Sequence, residues 1–264
     1  MSRPARGRPA ATFVLVHGAW QGAWAWERLL PHLEAAGFAA VAVDLPGNGT
    51  DATPPGAVDT YLYGRHVAAI ADALDGPVVL VGHSMGGTAV AQACEYMARP
   101  PALAVYLAAF LLRDGESVMD FYAANLQPWM RGAHARVTHS ADGLLSSIDP
   151  RSAIEVFYNT CAPSDAAIAA SRLTAQPEGG RRTRLQLSAA RFGRVKRIYV
   201  ETLRDRSVFV ELQRAMHGAS ACAEVHALDT DHAPQLSAPS QLARLLVDCV
   251  VRQLGPGTEL AAIA

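Results

Sequence analysis

Five residues, Gly82-His83-Ser84-Met85-Gly86, carry the clearest chemistry in the sequence. The serine follows an apolar run, Pro77 to Gly82, and opens a helical pattern, Met85 to Met97. A strand that turns sharply into a helix needs neighbours without side chains in order to close. It then projects the serine hydroxyl above the sheet, with the N–H of the next residue, Met85, aimed at the same place. That is a nucleophile's position, and a nucleophilic serine needs a base and donors for the oxyanion it creates. In such a turn the partners follow in the chain order serine, acid, histidine. Of nine histidines, His232 is the one between the last apolar strand and the last helix. Asp205, after the preceding strand, can accept the imidazole Nδ1–H and hold the useful tautomer. Asp114, after the fourth strand, is its rival. His17-Gly18-Ala19 closes the first strand and offers the Ala19 N–H as a second oxyanion donor, with Gly18 leaving room for an acyl group. His83 must point away from the serine, His17 supports its own loop, and His226 sits inside a strand.

The elements that position these residues are legible as alternation. Short apolar runs at Thr12–Val16, Phe38–Val43, Pro77–Gly82, Ala102–Ala109, Val195–Val200 and Ala223–Leu228 read as buried strands. Helical spacing fills Trp24–Ala36, Tyr61–Leu74, Met85–Met97, Val208–Met216 and Ser240–Leu254. Strands alternating with helices imply a parallel sheet with right-handed crossovers. The alternation lapses between about Asp114 and Arg194. Helix-like pieces there (Val118–Leu126, Ser152–Tyr158, Asp165–Leu173) are separated by Pro128, Pro150, Pro163 and Pro177. A helical cap inserted into one α/β domain spanning residues 12–254 is expected, with residues 1–11 and 255–264 as loose ends.

Composition narrows the classes. A chain of 264 residues, 50% hydrophobic and 18% charged, is globular and long enough for one large core. A net charge of −1 gives no overall attraction to nucleic acid or an anionic membrane. The arginine-rich stretch from Arg181 to Arg197 reads as a solvated face. Four dispersed cysteines lack zinc or redox spacing and suit a reducing, cytoplasmic setting. The basic start lacks the apolar core of a secretory signal, and no apolar run reaches membrane-span length. The expected partner is a small molecule, with no cofactor or metal; a homodimer is left open.

These residues resemble the α/β-hydrolase superfamily, in particular plant methylesterases, plant hydroxynitrile lyases and related bacterial esterases. The resemblance rests on Phe13 to Ala19, Gly22-Ala-Trp-Ala-Trp26, Asp44 to Gly47, Gly82 to Gly87 and Asp231 to Pro239. It implies an α/β-hydrolase fold, a triad of Ser84, Asp205 and His232, and oxyanion donors at Ala19 and Met85. It also sets Trp129 roughly where the family's cap holds a pocket tryptophan. The lyases carry a lysine after the histidine and a threonine after the first-strand histidine; here these are Ala233 and Gly18. Both favour hydrolysis of small, largely apolar esters under a cap containing Phe121, Tyr122, Leu126, Trp129 and Phe157. Lyase or biosynthetic acyl chemistry and non-catalytic ligand binding are the alternatives. Introducing Gly18→Thr with Ala233→Lys is expected to shift the balance towards a lyase. Where the esterases usually have a small residue and a histidine, this chain has Trp20-Gln21, and the Trp20 indole is expected to reshape the acyl pocket.

Overall fold

Glycine, proline and capping residues divide the chain into short elements. The computed structural model describes residues 11–125 and 136–255. Strand β1 (Thr12–Val16) leads through a 3-10 turn at Ala23–Trp26 to helix α1 (Leu30–Ala35). The sequence pattern suggests one helix across this region. Pro31, at the first turn of α1, cannot continue a helix from upstream, because its ring would collide with the preceding turn and it donates no N–H. Strand β2 (Ala39–Val43), helix α2 (Thr60–Asp72), strand β3 (Val78–His83), helix α3 (Gly86–Tyr96) and strand β4 (Leu103–Leu107) follow. Asp59 caps α2 by accepting the Leu62 N–H at 2.6 Å.

The segment between the fourth and fifth strands of the main sheet is an insertion of mixed structure. It contains α4 (Val118–Ala124), β5 (Val137–His139), β6 (Leu145–Ile148), α5 (Pro150–Phe157), α6 (Pro163–Ser171), β7 (Gln176–Pro177) and α7 (Gly179–Arg182). The expectation of helices alone is therefore incomplete: β5, β6 and β7 form an antiparallel sheet. The turn between β5 and β6 carries Asp142-Gly143, with Gly143 at φ 69°, a conformation that glycine adopts without steric cost. Pro150 and Pro163 are not separators. Each occupies the first turn of its helix, where a missing N–H costs nothing.

Strand β8 (Arg197–Thr202), helix α8 (Val210–Ala219), strand β9 (Glu224–Leu228), a short α9 (Pro234–Ser237) and the long α10 (Pro239–Leu254) complete the chain. Six strands form one sheet in the order β2-β1-β3-β4-β8-β9, every pairing parallel. Alternate residues of β1 and β3 enter opposite layers. Val14, Val16 and Leu80 pack with α2 and α3, while Phe13, Leu15, Val79 and Val81 pack with α1 and α10. Both faces are covered, which is why these strands are apolar throughout. In a parallel sheet all carboxyl ends point one way, so the loops after β1, β3, β8 and β9 share an edge. His17 to Gln21, Ser84, Asp205 and His232 lie in those loops.

Candidate active site

Ser84 sits at the carboxyl end of β3 with φ 53°, a left-handed conformation that a residue with a Cβ adopts only under constraint. The constraint is close backbone packing. A Cβ on Gly82 would come within 2.8 Å of the Gly86 carbonyl oxygen, and one on Gly86 within 2.5 Å of the His17 carbonyl oxygen. The Ser84 carbonyl accepts the N–H groups of Gly87 (3.1 Å) and Phe110 (3.0 Å), which fixes the turn from both sides. Met85 caps α3, where N–H groups have no partner within the helix. The N–H groups of Ala19 and Met85 meet no acceptor among the described residues. Gly18 lies against the serine: a Cβ there would be 2.8 Å from Ser84 Cβ and 3.1 Å from His83 Nδ1. The space beside Gly18 is therefore filled by Ser84 itself. Gly18 brings the first-strand turn against the serine and leaves no room there for an acyl group, contrary to the sequence expectation.

The neighbouring histidines have distinct jobs. His17 is fully buried, donates from Nδ1 to the Gly18 carbonyl at 2.7 Å and accepts the Leu45 N–H at Nε2 at 3.0 Å. Burial lowers its pKa to about 4, so it is a neutral strut at pH 7. His83 points away from solvent and donates from Nε2 to the His232 carbonyl at 2.7 Å. Burial, then the coulombic effect of His232, holds its pKa well below the usual value, so the ring is neutral at pH 7. The His83 and His232 ring centroids lie 4.6 Å apart. His232 is thereby held beside the residue that precedes Ser84. His226 pairs with Glu224 at 2.6 Å on β9, away from the serine.

Asp205 and His232 meet. His232 Nδ1 lies 2.7 Å from Asp205 Oδ2, with both side chains nearly inaccessible to solvent. The carboxylate accepts from four further donors. Ser207 N–H (2.7 Å) and Val208 N–H (2.8 Å) bind Oδ1; Thr202 Oγ1 (2.9 Å) and Gln213 Nε2 (3.1 Å) bind Oδ2. Hydrogen bonds from backbone N–H groups hold a carboxylate oriented. Asp114, the rival, is exposed and accepts the Leu187 N–H at 2.8 Å.

Above this edge, the insertion supplies aromatic cover. Trp20 is buried, has φ 63°, and stacks on Phe157 with centroids 5.9 Å apart. Its indole N–H donates to Ser146 Oγ (3.2 Å), its backbone N–H donates to Gln176 Oε1 (3.1 Å), and its carbonyl accepts the Thr174 N–H (2.9 Å). The Phe157 ring is 5.6 Å from that of His232. Tyr122 is buried near by and Phe121 is half-buried. The Arg181 guanidinium lies over the Trp20 ring at 5.1 Å and pairs with Glu178 at 2.6 Å, both residues being buried. Arg181 therefore departs from the expected solvated stretch, whose Arg182, Arg184, Arg191, Arg194 and Lys196 are exposed. The indole expected to line an acyl pocket is instead built into the seam between insertion and first-strand turn. Sequence reading missed this seam, because only the fold brings Trp20 to Ser146 and Gln176. Trp129 and Leu126 lie outside the described residues.

Among the described residues, one cluster has metal-ligating types, Glu224, His226 and Cys249. The Arg252 guanidinium already occupies it, 2.8 Å from Glu224 Oε2 and 3.3 Å from both His226 Nε2 and Cys249 Sγ. No helix among the described residues is long and apolar enough to cross a membrane.

Residues 13–245 match the alpha/beta hydrolase family. Similar proteins include a chloroplastic methylesterase-type protein of Arabidopsis thaliana, 32% identical over 247 residues, covering 89% of this chain and 63% of that protein. The chain spans 56% to 63% of the length of the first such chloroplastic relatives. Salicylic acid-binding protein 2 of Nicotiana tabacum is 30% identical over 250 residues, covering 89% of this chain and 95% of that one. The crystal structure of polyneuridine aldehyde esterase superposes with a TM-score of 0.79 at 26% identity, covering 90% of this chain and 98% of that one.

Proposed function

Because the chain belongs to the alpha/beta hydrolase family, we propose that it hydrolyses small, largely apolar carboxylic esters through an acyl-enzyme on Ser84. The observation that carries this reading is the buried 2.7 Å contact between His232 Nδ1 and Asp205, at the same sheet edge as the strained Ser84 turn. With Nδ1–H donated to Asp205, the lone pair of His232 is on Nε2. It takes the Ser84 proton as Oγ attacks the ester carbonyl. The N–H groups of Ala19 and Met85 hold the resulting oxyanion. Collapse breaks the ester C–O bond, and His232 returns its proton to the leaving alcohol. Water, deprotonated by His232, then attacks the acyl carbon; the bond to Ser84 Oγ breaks, His232 returns the proton to Oγ, and the acid leaves. The names of the relatives favour methyl esters as the first substrates to try.

The buried Phe157 ring beside His232 suits an apolar substrate. Ala233 is buried and lacks the charge that would offset a cyanide ion released there, which favours hydrolysis over cyanohydrin cleavage. Cyanide release from mandelonitrile rivalling ester turnover would favour the lyase instead. A cytoplasmic enzyme, monomeric or homodimeric, completes the proposal; cell fractionation and sedimentation test both points. The primary test is labelling by a fluorophosphonate with peptide mapping, beside turnover of methyl and aryl esters. Label on Ser84, and loss of on the order of 10⁶-fold in kcat for Ser84→Ala, is expected. A folded Ser84→Ala variant with wild-type turnover ends the reading.

A further inference from the structure

Five consecutive residues of the insertion, Phe157 to Cys161, touch each of the turns that carry the acid, the base and the oxyanion donor. The Phe157 ring packs against Trp20 and His232. The Tyr158 hydroxyl accepts from Gln21 Nε2 at 3.3 Å, in the turn that contains Ala19. Asn159 Nδ2 donates to the carbonyl of Arg204, the residue before Asp205, at 3.2 Å. Thr160 and Cys161 both reach Asp231, the residue before His232.

Asp231 is fully buried, and both its oxygens are occupied by neutral donors. Oδ1 accepts the Ala233 N–H (3.1 Å) and Ser237 Oγ (2.8 Å), which shapes the turn on either side of His232. Oδ2 accepts the Thr160 N–H (2.9 Å) and Cys161 Sγ (3.4 Å), which belong to the insertion. In return, the Asp231 N–H donates to Thr160 Oγ1 at 3.2 Å. Burial and the Asp231 charge push the Cys161 thiol up, so it stays protonated and remains a donor. A carboxylate is the one side chain that accepts on both oxygens. An amide would set an NH₂ group against one of these donors.

We infer that Asp231 is a positioning residue: through Thr160 and Cys161 it makes the seating of the insertion and the placement of the His232 imidazole a single event. This rests on reading His232 as the base. Asp231 touches no reacting atom; it acts through the turn whose carbonyl, at His232, also receives the His83 bond.

The test compares Asp231→Asn with Leu246→Ala, a buried change in the core layer that α10 shares with α1. Three readouts are taken well below the melting temperatures: 4-nitrophenyl acetate kinetics, the rate of fluorophosphonate labelling at Ser84, and hydrogen exchange by mass spectrometry. Asp231→Asn is expected to lower kcat about 10- to 100-fold with KM within about twofold, since small misplacements of a base are costly. The labelling rate should fall by the same factor, while Leu246→Ala loses stability and keeps its rates. Exchange should rise together at 157–161, 203–207 and 229–234. Wild-type rates in Asp231→Asn, or exchange rising at 229–234 alone, overturns the inference. If the wild type neither labels nor turns over, the reading of Ser84 fails, and the exchange pattern still decides the coupling. If Asp231→Asn does not fold, Asn159→Ala decides: its side chain bonds to the acid turn at Arg204, yet exchange at 229–234 should rise. Unchanged exchange there overturns the inference.

Discussion

The two halves of the candidate site are held by different physics. Around Ser84 the geometry comes from backbone against backbone: glycines at 82 and 86 allow approaches that any Cβ would block, and the sheet register aligns them. Around Asp205 and His232 it comes from side-chain hydrogen bonds. Thr202, Gln213 and the N–H groups of Ser207 and Val208 hold the acid, and Asp231 and His83 hold the base turn. A backbone-built half tolerates no added volume. A side-chain-built half tolerates volume but not a lost or reversed donor. Substitutions can test each statement separately.

The largest effect should come from reversing one acceptor in the second half. Asp205→Asn keeps the shape but presents an amide NH₂ or a weaker acceptor to His232 Nδ1. The imidazole then favours the wrong tautomer, and kcat should fall roughly 10⁴-fold. Thermal stability should change much less than activity. Asp114→Asn is the control: exposed and bonded only to the Leu187 N–H in the described structure, it should stay within about twofold. A greater loss at Asp114 would move the acid to that position.

Legibility in the sequence follows the same division. Strands β1 to β4 and the Ser84 turn are local patterns, apolar runs ended by glycine, and they read to within a few residues. Chain order pointed to His232 but left Asp205 and Asp114 as rival acids; the contact at 2.7 Å is between Asp205 and His232. The insertion was not, because its structure depends on partners far along the chain. Arg181 looked like part of a solvated stretch until Glu178 and the Trp20 face buried it. The strands β5 to β7 carry a turn signal at Asp142-Gly143 but too few residues to show alternation. The bonds of Asp231 were not legible either, because Thr160 and Cys161 are 71 and 70 positions away.

Next in size is added volume in the first half. Gly18→Thr, which a comparison of subfamilies suggests as a route to lyase activity, puts a Cβ 2.8 Å from Ser84 Cβ, closer than real side chains approach. Ser84 Cβ is fixed to the strained backbone and cannot swing aside. The turn must shift, so ester turnover should fall at least about 100-fold. Cyanide release from mandelonitrile should not appear, even with Ala233→Lys, which would bury an ammonium among Trp20, Phe157 and Ala153. Cyanide release from the double variant would show that the turn yields, and that the backbone half is softer than its packing implies.

Acid should weaken the fold through one buried histidine in each half, His17 beside the first-strand turn and His83 beneath the base turn. His17 and His83 are neutral in the fold, with His17 lowered from 6.5 to about 4 and His83 lowered well below 6.5. The unfolded chain takes up both protons below about pH 6.5. The unfolded state therefore binds more protons, and stability falls as pH drops from about 6.5 towards 4, by up to about 1.4 kcal/mol per pH unit for each histidine. Urea unfolding between pH 4.5 and 8 should show this slope. His17→Gln should remove about one proton's share of it. A flat profile over that range would show that the two histidines are protonated in the fold.

The smallest effect in rate should come from the support beneath the acid. Gln213 is fully buried, and its Nε2 lies within hydrogen-bond distance of Asp205 Oδ2 (3.1 Å), Thr202 Oγ1 (3.1 Å) and the Val208 carbonyl (2.7 Å). Its Oε1 accepts the Thr202 N–H at 3.1 Å. Gln213→Met preserves length and burial but removes every donor. Oδ2 of Asp205 then keeps His232 and Thr202, and Oδ1 keeps both backbone N–H groups, so the carboxylate stays in place with one bond fewer. A single hydrogen bond to a charged group is worth about 1.5 to 3 kcal/mol, and only part of that acts on the transition state. The expected result is about a tenfold fall in kcat with KM unchanged. Stability should fall by a few kcal/mol, because the Thr202 N–H and Val208 carbonyl lose their partner in the interior. The two readings must separate: loss of stability with full kcat would mean that Thr202 and the backbone donors hold Asp205 without help, and that Gln213 supports the fold rather than the acid.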